Sequence, residues 1–118
     1  MSEHNEQVVL CKYLDFKGLL YFAVPNGIFL KDKTTAFKIM AKMKAEGFKK
    51  GVPDLVVFLK DKILFIEMKT KTGTGTTSEE QESWIEKINK YLYAKAVVCK
   101  GFEEAKKIIE KIREKNDF

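Results

Sequence analysis

Gly51-Val52-Pro53-Asp54-Leu55-Val56-Val57-Phe58-Leu59-Lys60-Asp61-Lys62-Ile63-Leu64-Phe65-Ile66-Glu67-Met68-Lys69 reads as one β-hairpin, and it decides the fold. In its second strand strict alternation sends Ile63, Phe65, Glu67 and Lys69 to one face and Leu64, Ile66 and Met68 to the other. An apolar strand therefore ends in two charges on one face, where charged side chains are seldom found unless paired or bound to metal. Pro53 fixes φ and cannot donate to a sheet ladder, so Asp54 is expected at the very start of the first strand, beside a turn opened by Gly51 and aimed at the end of the neighbouring strand. Lys60-Asp61-Lys62 makes the reversal, although it is not among the strongest hairpin sequences. Two carboxylates and an ammonium at one end of a hairpin suggest a divalent-metal phosphodiesterase site. The plainer alternative, Glu67 and Lys69 as a solvated pair where the strand emerges, leaves the Gly-Val-Pro-Asp entry without a purpose.

Outward from the hairpin the chain alternates between the two periodicities. Residues 3–17 carry apolar positions at Val8, Leu10, Cys11 and Leu14, and Gly18 is placed to stop a helix. Leu19 to Val24 is a compact strand ending at Pro25, followed by an Asn26-Gly27 turn signal. Thr35 to Glu46 reads as a second helix with Ala36, Ile39, Met40 and Met43 inward and Gly47 as its stop. Thr70 to Thr77 has no periodicity and reads as a loop just beyond Lys69, either a substrate lid or a plain connector. Ser78-Glu79-Glu80-Gln81 is a capping box opening a helix to about Tyr91, with Trp84, Ile85, Ile88 and Leu92 inward. Ala94 to Cys99 is a buried strand, and Gly101 turns into a last helix whose apolar stripe is Ala105, Ile108, Ile109 and Ile112. The order implies an α/β domain, a mixed β-sheet flanked by helices, occupying residues 1–118 as a single unit.

Composition narrows the chemistry. Twenty-two Lys and Arg against seventeen Asp and Glu give a net charge of +5, and Arg113 is the lone arginine. A lysine surface favours nonspecific phosphate contact over the bidentate base reading typical of arginine. No apolar stretch approaches the roughly 20 residues that cross a bilayer, and the N-terminus lacks the basic and apolar regions of a signal peptide, so a cytoplasmic location is expected. Cys11 and Cys99 stand in apolar surroundings and suit packing better than zinc or a disulfide. With His4 the single histidine, any general base is expected to be a metal-activated water or a lysine.

These residues together resemble a restriction-endonuclease-like nuclease of the PD-(D/E)XK superfamily, and more narrowly a stand-alone VRR-NUC domain of the kind found in phages and bacteria. The resemblance rests on the acidic N-terminal helix, Pro25-Asn26-Gly27, Gly51-Val52-Pro53-Asp54, Glu67-Met68-Lys69, Ser78 to Gln81 and the closing strand and helix. It implies a restriction-endonuclease-like core in which Asp54 and Glu67 hold Mg²⁺ or Mn²⁺, with the backbone carbonyl of Met68 as a third ligand. All are hard oxygen donors of the kind Mg²⁺ takes. Lys69 would orient the attacking water or stabilise charge on the phosphate.

The family also places an acidic residue of the first helix at this site. Glu3 and Glu6 both fit, and Glu6 is preferred because it stands closer to the apolar run and is less exposed to fraying. Gln81 resembles the family's glutamine near metal and substrate. Its other role, the reciprocal half of the Ser78 capping box, is expected to exclude this one, and the site role is preferred. Asn26, Lys49, Lys50 and Lys71 are the candidate DNA contacts, with a solvated basic surface the alternative for each lysine. The stretch Tyr91-Leu92-Tyr93 departs from relatives that often carry a glycine there. The implied function is a structure-selective DNA endonuclease, a homodimer that cuts four-way (Holliday) junctions in a bacterial or phage-infected cytoplasm. A junction-indifferent nuclease of flapped, nicked or single-stranded DNA, or a noncatalytic DNA-binding module, are the alternatives. Phe29, Leu30 and Phe37 are candidates for a dimer contact or for the core.

Overall fold

The computed structural model describes residues 1–25, 33–72 and 77–116. Asn26, Phe29 and Leu30, and the glycines of the 70–77 loop, lie outside the described residues. Among the described residues four helices and four strands follow one another as α1 (Glu3–Phe16), β1 (Leu20–Ala23), α2 (Lys33–Ala45), β2 (Leu55–Phe58), β3 (Ile63–Lys69), α3 (Glu79–Ile88), β4 (Ala94–Lys100) and α4 (Phe102–Asn116). The expected order and the mixed sheet are both present.

The strands lie in the order β1-β2-β3-β4. β1 pairs antiparallel with β2 from Leu20 opposite Phe58 to Ala23 opposite Leu55. The β2–β3 hairpin sets Phe58 opposite Ile63 and Leu55 opposite Ile66, and the Leu59 N–H closes its turn on the Lys62 carbonyl at 2.8 Å. β4 lies parallel to β3, Ile63 beside Ala94 and Lys69 beside Lys100, with α3 making the crossover a parallel pair requires.

One face of the sheet is the core. Leu55, Val57, Leu64, Ile66, Met68 and Cys99 meet Leu10 and Leu14 of α1 and Ala105, Ile109 and Ile112 of α4. Of the expected α4 stripe only Ile108 stays at the rim, half-buried, while Val8 of α1 is exposed. α1 ends as Gly18 predicts: at φ +69° its N–H reaches Asp15 O while the Leu19 N–H reaches back to Leu14 O, the paired closure that a left-handed residue permits.

The opposite face is covered less completely. Phe22, Val56 and Phe65 look across a hollow of about 480 Å³ towards Phe48, Pro53 and Trp84. Ala36, Ile39, Met40 and Met43, expected inward, are only half-buried, and no residue of α2 is buried. α3 is shorter than its periodicity predicts. It stops at Ile88 because Asn89 turns aside to β4, where its side chain accepts the Ala96 N–H at 2.8 Å and donates to the Ala96 carbonyl at 3.0 Å. Leu92, expected inward, is therefore 76% exposed, with Tyr91 and Tyr93 beside it.

Candidate active site

The site assembles where β2 begins and β3 ends. Asp54 enters directly after the buried Pro53, and its Oδ2 accepts the Met68 N–H at 2.8 Å, which ties the head of β2 to the tail of β3. Continuing the hairpin register one step past Leu55 and Ile66 brings Asp54 opposite Glu67. Glu67 is only 2% exposed, and its Oε1 is buried without a hydrogen-bond partner. Burial first, then hydrogen bonding and repulsion from Asp54, push the Glu67 carboxyl up to about 9, against a smaller opposing pull from Lys69. A metal-free Glu67 thus keeps its proton at neutral pH.

The helix carboxylate that lies beside Asp54 and Glu67 is Glu3, whereas the preferred Glu6 is held by another element. Glu3, Asp54 and Glu67 each bring an oxygen within 4.8 Å of the others. The Ser2 side chain accepts the Asn5 N–H at 3.1 Å and caps α1, so the first turn that carries Glu3 is held rather than frayed. Glu6, 4% exposed, faces another element: its Oε2 accepts the Phe102 N–H at the start of α4. It satisfies a helix N-terminus that lacks a side-chain cap of its own. The spacing carried that signal, because Glu6, Leu10 and Leu14 recur at four-residue intervals and form the buried face of α1.

Lys69 and Gln81 also meet. The Lys69 ammonium donates to Gln81 Oε1 at 3.1 Å, and the same oxygen accepts the Ser78 N–H at 3.0 Å while Gln81 N–H donates to Ser78 Oγ at 3.2 Å. The capping box and the contact with Lys69 were expected to exclude one another, yet one carbonyl oxygen has two lone pairs and serves both. This brings the N-terminus of α3 against the site. Gly51, at φ +88°, makes room for it, since a Cβ there would lie 2.7 Å from Glu80 Cβ. The Trp84 indole N–H donates to Lys50 O at 3.0 Å and holds α3 to the same turn.

The other expected contacts are more peripheral. Lys49, Lys50 and Lys71 are exposed around this end of the sheet, and Lys50 approaches Glu80 at 3.9 Å from a 79% exposed position. Met68 is buried between Glu67 and Lys69. The donor set suits a hard divalent cation: three carboxylates converge, and one holds a buried oxygen that nothing in the described protein satisfies. The 480 Å³ hollow lies behind Pro53 and has an apolar lining, so it is not where such an ion would sit.

The fold and this site define an α/β domain carrying a carboxylate and lysine centre at one end of a mixed sheet. The family model for the VRR-NUC domain matches residues 3–103, and the chain belongs to that family, a family of nuclease-type domains. No curated protein matches it. Among solved structures it is similar to a VRR_NUC domain protein at a TM-score of 0.73 and 24% identity, covering 94% of this chain and 87% of the other, a likeness that shows the fold.

Proposed function

We propose that this domain is a divalent-metal-dependent endonuclease that hydrolyses DNA phosphodiester bonds. The observation that carries the reading is the buried, unpartnered Glu67 oxygen beside Asp54 and Glu3, with a lysine fixed close by. Asp54, Glu67 and Glu3, together with the Met68 carbonyl, would hold Mg²⁺ or Mn²⁺. Such an ion, when bound, offsets phosphate charge and acidifies a water. The protein's own groups do the rest. Asp54 fixes the end of β3 through the Met68 N–H, and Gln81 aims the Lys69 ammonium, which donates to a nonbridging phosphate oxygen as negative charge grows there. Water oxygen bonds to phosphorus as its proton passes to solvent, the bond to the leaving sugar oxygen breaks, and that oxygen takes a proton from solvent.

The substrate is a branched DNA, with a four-way junction cut by a homodimer as the favoured form. Exposed Leu20, Phe22 and Phe37, with 68%, 51% and 77% of their surface accessible, support association. Phe37 is thus surface rather than core. Cleavage of labelled four-way junction, flap, single-stranded and linear duplex DNA with Mg²⁺, Mn²⁺ or EDTA tests the reading, wild type beside Lys69→Ala. Paired symmetric cuts confined to the junction, lost in EDTA and in the variant, are expected. Cutting of every shape would replace the resolvase with a general nuclease, and metal without any cutting would leave a DNA-binding module. No helix of the described structure is long and apolar enough to cross a membrane.

A further inference from the structure

The positive charge of this protein is concentrated in one place. From Lys33 to Lys50 there are six lysines and one acid, Glu46, so this stretch carries the whole net charge of +5, and the other 16 cations are matched by 16 acids. Most of it is α2, whose 13 residues contain Lys33, Lys38, Lys42 and Lys44 and no carboxylate. All four lysines are exposed, and the salt bridge found among the described residues joins Lys50 to Glu80 and none of them.

The helix has little internal reason for this pattern. Lys42 and Lys44 suit a C-terminus, but Lys33 opens the helix against its dipole, with no acid in the first turn to balance it. Lys38 and Lys42 repel one another at a spacing of four. α4 shows the contrasting design: Glu103 and Glu104 in its first turn, Arg113 and Lys115 in its last, and charges of both signs between. An ordinary solvated face is balanced in this way, and α2 is not.

We infer that α2 is the surface on which the phosphate backbone of a nucleic acid lies, and that its lysines rather than the residues of the carboxylate site supply most of the electrostatic affinity. This rests on the nuclease reading for its choice of polyanion, and it adds the element that holds the strand. Thirteen helical residues span about 20 Å, the axial rise of about six base pairs. The segment that follows, through Phe48, Lys49 and Lys50, continues into Gly51 and Asp54, so a short lysine-bearing stretch of chain joins α2 to the carboxylate site. Lysine contacts made this way are blind to sequence.

Salt dependence reads the phosphate contacts directly. Binding of a labelled 20-base-pair duplex is followed by fluorescence anisotropy in EDTA across a potassium chloride series, for wild type, for Lys38→Gln/Lys42→Gln/Lys44→Gln, and for Lys107→Gln/Lys111→Gln on α4. All three are first shown to share a circular dichroism spectrum and melting temperature. The slope of log affinity against log salt is expected to fall by at least about 1.8 in the α2 variant, about 0.9 for each phosphate no longer neutralised by Lys38 and Lys42, which share one side of the helix, and to stay at the wild-type value in the α4 variant. Equal slopes in wild type and α2 variant, an equal fall in both variants, or no binding by wild type would each overturn the inference. Cleavage is scored separately. A protein that binds through α2 but never cuts would retire the nuclease reading and keep this one, whereas a metal-dependent nuclease with an unchanged slope would do the reverse.

Discussion

Glu3 and Glu6 are one turn apart on α1, and their different surroundings give opposite expectations for the same substitution. Glu3 is exposed and its oxygen faces Asp54 and Glu67, so Glu3→Gln should leave the melting temperature near wild type while lowering metal-dependent cleavage by at least about tenfold, the ordinary effect of losing a metal-site group. Glu6 is buried on the Phe102 N–H. Glu6→Ala should cost about 1.5–3 kcal/mol in urea unfolding, since a charge-assisted bond is removed and a helix donor is stranded. If Glu6→Ala were as stable as wild type and Glu3→Gln were not, the two roles would have to be exchanged. Glu67 supplies a pH test in metal-free protein. Its folded value of about 9 lies above the ordinary carboxylate value of 4.5, so between those two limits the folded chain holds a proton that the unfolded chain has released. Stability in EDTA therefore falls as pH rises through that window. Glu67→Gln cannot lose the proton, and its melting temperature should exceed that of wild type increasingly towards pH 9, with the gap closing near pH 5. A constant gap would show that burial does not hold the Glu67 proton.

At the scale of elements, one turn positions two side chains of the proposed site. Gly51 lets the N-terminus of α3 approach, and that approach sets Gln81 Oε1 against Lys69. Gly51→Ala forces a left-handed alanine and a Cβ into Glu80, so it should destabilise by about 1–3 kcal/mol and lower cleavage as well. Retained activity at full stability would mean that α3 does not position Lys69. The hairpin, the capping box and the α4 stripe were legible in the sequence because each rests on a local rule: period two, a reciprocal cap, or period 3.6. What was not legible depended on contacts between distant segments. Asn89 ends α3 by bonding Ala96, which no helix periodicity can show, so the pattern places Leu92 inward. The capping box likewise accounts for Gln81 by local partners alone, and Lys69 reaches the same oxygen only once the chain has folded. Fraying favours Glu6 over Glu3 in the sequence, which does not show that Ser2 holds the first turn or that α4 needs the Glu6 carboxylate.

In the whole molecule, one sheet face is filled by α1 and α4 and the other is left partly open, with the carboxylates at one end. Among the described residues such a domain offers one candidate catalytic centre, and a four-way junction must be cut in two strands, so the proposed junction resolution requires two copies acting on one DNA. That requirement can be measured without knowing the interface. Wild type and Lys69→Ala chains are unfolded together in equal amounts and refolded, so that about a quarter of random dimers hold two working sites and about half hold one. Product linearised from a cruciform plasmid within one binding event should then fall to about a quarter of the all-wild-type yield, while nicked product rises. If each copy worked alone, nicking and linearisation would both follow the amount of active chain, with no excess of nicked circles at early times. Sedimentation of the metal-free protein would then show one chain per particle, and the junction reading would give way to a general nuclease with the same carboxylates and the same lysine.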